Sequence, residues 1–360
     1  HFIALLILIN IAHNHFSLTA LLIYLTALYL CISYYKLIRE ASSNPWIRPA
    51  DEECSQGSLL LAPGERLGVA DIGRASSCGI SHVNVHRRPQ IGVLVTGDEL
   101  VPPGEERSNG AIWESNSTLI RGMLERLGYP AVECRLVADE CHLLKQAILD
   151  LAASCDVIVS TGGVSAGDSD WIRPLMQELG QVEFWKLFLK PGRPFAFGWV
   201  GDAVPLFGLP GNPVAATITA LQLLWPALQI LEGQQNPELL PRVHVHLATP
   251  YRRKPGRPEL ARASLDCSPD GQLLARIDGS QASSRIGSLQ NADLLVEIPA
   301  DSGPLETGQR LWAQLLRRRI LRHVNGIRAE YSPQAMCQHH HSTPVSKTVP
   351  CVSTTRASHS

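Results

Sequence analysis

The sequence predicts an α/β protein built on a doubly wound, mostly parallel sheet. Three observations predict it. Short β-branched runs alternate with amphipathic helical stretches between Gln90 and about residue 234. Each run ends in a polar or glycine-containing turn. The run at 157–161 breaks at Gly162-Gly163 and passes through a polar turn into a helical segment at about 171–179. Strand, glycine turn, helix is the order that places backbone N–H groups and a helix N-terminus at the carboxyl end of a parallel sheet, where an anion can sit.

The elements follow in order along residues 90–234. Residues 91–95 form an apolar strand that runs into Thr96-Gly97-Asp98-Glu99-Leu100. Ser115-Asn116-Ser117 caps a helix whose apolar positions include Leu119, Met123, Leu124 and Leu127, and Gly128 stops it. Residues 131–137 are the next strand, with Ala138-Asp139-Glu140 as its turn, and 142–153 the next helix. After the glycine turn, 182–189 and 194–199 read as strands around Lys190-Pro191-Gly192-Arg193-Pro194. The loop Gly208-Leu209-Pro210-Gly211-Asn212-Pro213 then leads into a long apolar helix at about 214–231.

Such a topology gathers the polar turns on one edge of the sheet. The edge collects Asp98, Glu99, Asp139, Asp168 and Asp170 beside Lys186, Lys190 and Arg193. Carboxylates beside cations suit a divalent metal with a phosphorylated ligand. Lys190, between Leu189 and Pro191, offers a point charge on a stiff loop. Taken singly, each acid also reads as a solvated strand-end cap and each lysine as a surface residue.

The remaining chain bounds the function. A length of 360 residues calls for two or three domains, and a net charge of −1 gives no electrostatic case for nucleic acid. Nine cysteines without a Cys-x-x-Cys pair fit a reduced, cytoplasmic protein and no zinc framework. Residues 1–44 form an apolar leader. Its uncharged run 16–35, followed by Lys36 and Arg39, is long enough to cross a bilayer; the other readings are a leader foreign to the domain and a buried core helix. Residues 45–89 read as a short β-rich region, with strands at 58–61 and 83–85 and a short helix at 69–78. Residues 320–360, rich in Ser, Thr and His and including His339-His340-His341, read as a disordered tail.

Four motifs in series, Val95-Thr96-Gly97-Asp98-Glu99-Leu100, Thr161-Gly162-Gly163-Val164-Ser165-x-Gly167-Asp168-x-Asp170, Lys186-x-x-x-Lys190-Pro191-Gly192-Arg193-Pro194 and Gly208-Leu209-Pro210-Gly211-Asn212-Pro213-Val214, closely resemble the molybdopterin molybdenumtransferase family, which includes bacterial MoeA and the E domain of gephyrin. The resemblance runs from about Trp46 to about Leu316. It implies a molybdopterin-binding α/β domain at 90–234, followed by a small β-barrel-like domain at 235–319. In this family molybdate is inserted into the dithiolene of adenylylated molybdopterin, with Mg²⁺-dependent release of molybdenum cofactor and AMP. By resemblance, Glu99, Asp139, Asp170, Lys186 and Lys190 are catalytic. Thr161, Gly162, Gly163, Ser165, Gly167, Asn116, Pro210, Pro213, Arg262 and Ser283 hold the ligand, the last two supplied from a partner subunit, and Asp98, Asp168 and Asp170 hold the metal. Gly256-Arg257-Pro258-Glu259-Leu260-Ala261-Arg262 matches the family's Gly-Arg-x-x-(apolar)-x-Arg pattern in the C-terminal domain. The implied partners are the small-molecule substrates, a second copy in a homodimer, and the upstream molybdopterin adenylyltransferase. The family's N-terminal Ser-x-x-Asp-Gly-Tyr-Ala-type motif does not occur, and Asp51-Glu52-Glu53 stands where the family shows Gly-Glu-Asp. The alternatives are an adenylyltransferase-like enzyme, which usually carries Thr-Gly-Gly-Thr-Gly at the organising turn, and a non-catalytic scaffold.

Overall fold

A computed structural model describes residues 18–43, 51–130, 132–164 and 170–316. Ser165, Gly167, Asp168, Trp46, residues 1–17 and the tail from 317 lie outside the described residues. The chain divides into two compact units, residues 1–62 and 63–360. In the first, helix α1 (Leu18–Ser43) has exposed side chains from Leu22 to Tyr35, with Ile23 and Tyr29 each 70% exposed.

The second unit begins with α2 (Val69–Ser77), whose Asp71 carboxylate accepts the Gly68 N–H at 2.7 Å and caps the first turn. Among the described residues of the stretch 45–89 there is no strand, which corrects the β-rich reading. Val83 and Val85 alternate as in a strand but lie exposed. Alternation makes a strand only where a neighbouring ladder accepts the hydrogen bonds.

The α/β domain follows as β1 (Ile91–Thr96), β2 (Leu100–Val101), β3 (Ile112–Trp113), α3 (Asn116–Leu127), β4 (Val132–Val137), α4 (Cys141–Ser154), β5 (Val157–Thr161), α5 (Ile172–Leu179), β6 (Gly180–Trp185), β7 (Ala196–Val200), β8 (Val204–Leu209), α6 (Pro213–Thr219) and α7 (Trp225–Leu231). The sheet order is β4-β1-β5-β8-β7-β6, parallel from β4 to β8 and antiparallel at β7 and β6. Two reversals turn β6 parallel to β8 again, so its carboxyl end shares an edge with those of β1, β4, β5 and β8. The edge strand β6 slips register between Val182 and Phe184, leaving Glu183 as the extra residue of a bulge.

Side chains alternate between two cores. Ile91, Val93, Val95, Val157 and Val159 face α3 and α6–α7, packing on Ile120, Leu124, Val214 and Leu221. Leu94, Ile158 and Leu206 face α4 and α5, packing on Leu144, Ile148, Leu151, Ile172 and Leu175. Helices on both faces are what a parallel sheet needs to be buried on both sides. Residues 213–231 are long and apolar enough to cross a membrane, yet 67% of the stretch is buried, so it is the core helix. A π-helical turn at Ala220–Leu224 divides it, just ahead of Pro226. Proline has no N–H to donate back four residues and its ring crowds that carbonyl; the wider turn accommodates both effects.

The C-terminal domain is β9 (Arg242–Leu247), β10 (Glu259–Cys267), β11 (Leu273–Arg276), α8 (Gly287–Gln290), β12 (Leu294–Ile298) and β13 (Arg310–Leu315). Its strands close into a barrel in the order β10-β11-β9-β13-β12. Ala261, Ala263, Ala275 and Ala313 point into the interior with Val245, Leu247, Leu294 and Val296. Small side chains let five strands close around so narrow an axis. On the outside, Leu260, Leu289 and Leu295 join the core around α6 and α7, so barrel and α/β domain pack as one body.

Candidate functional site

The carboxyl edge of the sheet holds most of the predicted residues. Thr96 ends β1, and its hydroxyl donates to the Asp139 carboxylate beyond β4. The Asp139 backbone N–H donates to Asp98 Oδ1 at 2.9 Å, and the Trp171 indole N–H to the Asp139 carbonyl at 3.1 Å. Asp98 and Asp139 are therefore tied together, with α5 anchored beside them. Asp98 and Glu99 are exposed and Asp170 is half-buried.

The glycine turn after β5 needs its glycines. Gly162 has φ +92°, and a Cβ there would lie 2.4 Å from the Thr96 carbonyl oxygen. At Gly163, φ +64°, a Cβ would meet Ile172 Cγ1 at 2.7 Å. The backbone thus passes against β1, and the loop after β8 lies against its other side, where a Cβ on Gly211 would sit 3.5 Å from Gly162 Cα. There Asn116 Nδ2, at the start of α3, donates to the Gly211 carbonyl at 2.7 Å. Asn116 Oδ1 and Thr161 Oγ1 are buried without a hydrogen-bond partner. Buried acceptors and hydroxyls left this way are costly unless something polar meets them. Pro210 is buried, and Pro213 opens α6 at its first turn.

The lysines stand on the loop from β6 to β7. Strand β6 was expected through residue 189 but ends at Trp185, because Lys186 takes φ +72° and leaves the pleat. Its N–H donates to the Phe195 carbonyl at 2.8 Å, and its ammonium sits 3.5 Å from the centroid of the Trp185 ring. Arg173 covers the same indole at 4.3 Å. Lys190 Nζ pairs with Glu259 Oε1 at 2.9 Å, and Arg193 is exposed.

Arg262 is 3% exposed on β10. Its Nε donates to Ser288 Oγ at 3.2 Å and an Nη to the Ala282 carbonyl at 3.3 Å. Burial lowers its guanidinium pKa from the usual range. It lines a concavity of about 740 Å³ with Ser264, Arg276, Asp278, Arg285 and Ser288, which suits an anion. The next residue of the same loop, Ser283, accepts the Val214 N–H at the start of α6 through its carbonyl, at 3.0 Å. The barrel's packing on α6 brings this loop to the start of that helix.

Among the described residues, no group of three His, Cys, Asp or Glu is spaced to hold a metal by itself. Asp98 stands exposed at this edge and Asp170 half-buried two residues before α5, and Mg²⁺ is usually held by one or two carboxylates and completed by water and phosphate oxygens. Sequence reasoning singled out neither Thr96 nor Glu259. Both lie inside the quoted motifs, but as a strand end and a strand start they carry no signal until their partners are known.

The fold and edge define a class: a doubly wound domain with an anion-suited glycine edge, backed by a closed barrel that holds the lysine loop. Comparison with known proteins narrows it. Residues 92–230 match the model of a probable molybdopterin binding domain, and residues 244–316 that of the MoeA C-terminal region, domain IV. The chain is 30% identical over 266 residues to the molybdopterin molybdenumtransferase of Haemophilus influenzae, covering 74% of this chain and 66% of that protein. It is 30% identical over 303 residues to gephyrin of Dictyostelium discoideum, covering 75% of this chain and 42% of gephyrin. A molybdopterin biosynthesis MoeA protein from Pyrococcus horikoshii superposes with a TM-score of 0.62 at 28% identity, over 73% of this chain and 63% of that one. The chain belongs to the molybdopterin molybdenumtransferase family of MoeA and the gephyrin E domain. It spans about two thirds of the length of the Haemophilus relative and about two fifths of gephyrin.

Proposed function

We propose that this chain inserts molybdenum into adenylylated molybdopterin, with hydrolysis of the adenylate to AMP. The observation that carries the reading is the shared edge: Asp98, held by the Asp139 backbone N–H, the glycine turn and the lysine loop all stand at the carboxyl ends of strands that run the same way. In this reading the N–H groups of Thr161, Gly162 and Gly163 and the loop carrying Pro210 and Pro213 cradle the pterin nucleotide. Asn116 Oδ1 and Thr161 Oγ1, buried and unmet, take its polar groups. Ser165 and Gly167 extend the cradle. Lys186, Lys190, Arg262 and Ser283 hold oxyanions, molybdate among them.

Asp98, with Asp168 and Asp170, would hold Mg²⁺, which would offset charge on the phosphoanhydride as its bond to phosphorus breaks. Glu99, Asp139 and Asp170 orient and deprotonate the attacking water, whose oxygen ends on AMP. A homodimer, passage of substrate from a molybdopterin adenylyltransferase, and a cytoplasmic site follow from the family reading. The C-terminal barrel, matched as MoeA domain IV, favours it over a stand-alone adenylyltransferase.

The test is AMP release from adenylylated molybdopterin with molybdate and Mg²⁺. Molybdate-dependent release, lost in Asp170→Ala, supports the enzyme. Ligand binding without release points instead to a scaffold. One observation favours a membrane-bound form of the same protein: the α1 side chains from Leu22 to Tyr35 are exposed although almost all are apolar. Fractionation into the membrane pellet, abolished by deleting residues 1–44, would establish it.

A further inference from the structure

Glu259 is a carboxylate in an unusual setting. Its side chain is 2% exposed, while that of its partner Lys190 is 44% exposed. A surface lysine thus reaches inward to a buried acid. Tyr251 donates its hydroxyl to the same Oε1 at 2.9 Å. The other oxygen, Oε2, is buried without a hydrogen-bond partner, with Arg253 Nε 3.8 Å away. A buried carboxylate is costly unless compensated. Here Lys190 supplies the near cation and Arg253, whose side chain is 4% exposed, the farther one.

The backbone is joined at the same place. Lys190 N–H donates to the Pro258 carbonyl at 2.9 Å, and Leu260 N–H to the Lys190 carbonyl at 2.8 Å. Arg257 Nη1 donates to the Leu189 carbonyl at 2.8 Å. A single rung of parallel β-bridge therefore fixes Lys190 to the first residue of the barrel strand β10. A lysine side chain is otherwise flexible over four methylenes and loses much rotamer freedom when it is held. With one donor on Glu259, the ammonium has two further N–H bonds to give, on a side chain that is 44% exposed.

The geometry points to Glu259 as the positioning residue of Lys190: the barrel, through this buried carboxylate, fixes the ammonium that meets the oxyanion at the edge of the α/β domain. This rests on the proposed function in assigning Lys190 to an oxyanion; the pairing itself does not. Glu259 acts through Lys190 and touches no substrate.

Two measurements on the full chain separate the two claims. The first is acetylation of lysines by a small amine-reactive reagent, read by mass spectrometry. In Glu259→Gln, labelling of Lys190 should rise by roughly threefold to tenfold, the value of part of a long side chain's rotamer freedom. Labelling of Lys145, which pairs with Glu178 elsewhere, should stay constant. Unchanged labelling of Lys190 overturns the proposal, whatever the protein binds. Glu259→Asp serves if the glutamine variant does not fold: it keeps the charge beside Arg253 and withdraws the carboxylate by about 1.5 Å, one carbon–carbon bond.

The second is equilibrium binding of molybdate or tungstate by wild type, Glu259→Gln, Lys190→Met and the double variant. Positioning predicts that Glu259→Gln weakens binding roughly tenfold in wild type and adds nothing to Lys190→Met. An undiminished further loss on top of Lys190→Met would make Glu259 a general stabiliser and overturn the proposal. Absence of oxyanion binding in wild type defeats the functional reading instead, while the labelling result still decides whether Glu259 holds Lys190.

Discussion

Asn116 and Gly211 join the two helix starts that flank the glycine turn: Asn116 Nδ2 donates to the Gly211 carbonyl at 2.7 Å, across 95 residues of chain. This bond sets the gap between α3 and the loop before α6, and with it the width of the candidate cradle. Asn116→Asp is nearly isosteric but sets a carboxylate oxygen against that carbonyl. Its position at the start of α3 offers a negative charge about 0.3–1 kcal/mol. Facing a carbonyl in a site only 6% exposed costs about 1–3 kcal/mol. The second effect wins, so Asn116→Asp should be less stable than wild type in urea unfolding by about 1 kcal/mol or more. A variant as stable as wild type would show that the bond is not formed in solution.

Gly162→Ala should be among the most damaging single-methyl changes in the domain. The backbone has φ +92°, and the new Cβ would lie 2.4 Å from the Thr96 carbonyl oxygen, which the strand cannot withdraw. Strain of this kind costs about 1–3 kcal/mol before any clash is counted. Gly122→Ala, within α3 and with open space at its Cβ, is the control and should be neutral or stabilising. Chemical denaturation of both variants checks the contrast.

Acid should reveal the clasp at the start of the sheet. Arg87 binds Asp156 through both carboxylate oxygens, at 2.5 and 2.6 Å, and the Gln90 N–H adds a bond at 2.8 Å. The Arg87 hydrogen bond is the main cause that holds the Asp156 carboxyl below its usual range, against the opposing effect of burial. A lowered folded-state value means stability that is present above the unfolded value, about 3.9, and lost as pH falls through the folded one. Asp156→Asn should therefore melt earlier than wild type at pH 7, and the gap should close at pH values well below 3.9. A gap independent of pH would remove the carboxylate from the explanation.

Thiol chemistry should divide the cysteines. Burial pushes the Cys134 thiol up to about 12, with smaller opposing and assisting effects from Arg121 and the nearby glutamates. Cys267 is exposed at the end of β10. At pH 8, iodoacetamide should label Cys267 many times faster than Cys134, because only the thiolate reacts. Comparable rates in the native protein would mean that β4 opens readily.

Much of the fold was legible because local and global patterns agree. The strands at Val157 and Ile91 are unbroken β-branched or apolar runs, as a sheet covered on both faces requires. The helices at 116 and 141 carry apolar residues at helical spacing. Val83 and Val85 misled, because alternation says nothing of whether a partner strand exists. Lys186 escaped for a different reason: a non-glycine residue at φ +72° is imposed by the Phe195 and Trp185 contacts, not by its own type. For the site, aspartates and lysines were visible as residue types near strand ends. Their pairing was not, since Thr96 with Asp139 and Lys190 with Glu259 join residues 43 and 69 positions apart.

The bulge in β6 has a consequence outside the site. An outermost strand offers a row of unmatched amide and carbonyl groups, on which another chain can add itself. The extra residue there is the acid Glu183, and it twists the row out of step after Val182. At the opposite border β4 carries Glu133 and Arg135, paired to each other at 2.7 Å. The barrel has no border at all, since β10 pairs with β12 to close it. The sheet is thus guarded against stacking into aggregates at both ends by charge and, at one of them, by misregister, and a chain shortened by Glu183 would lose the second safeguard.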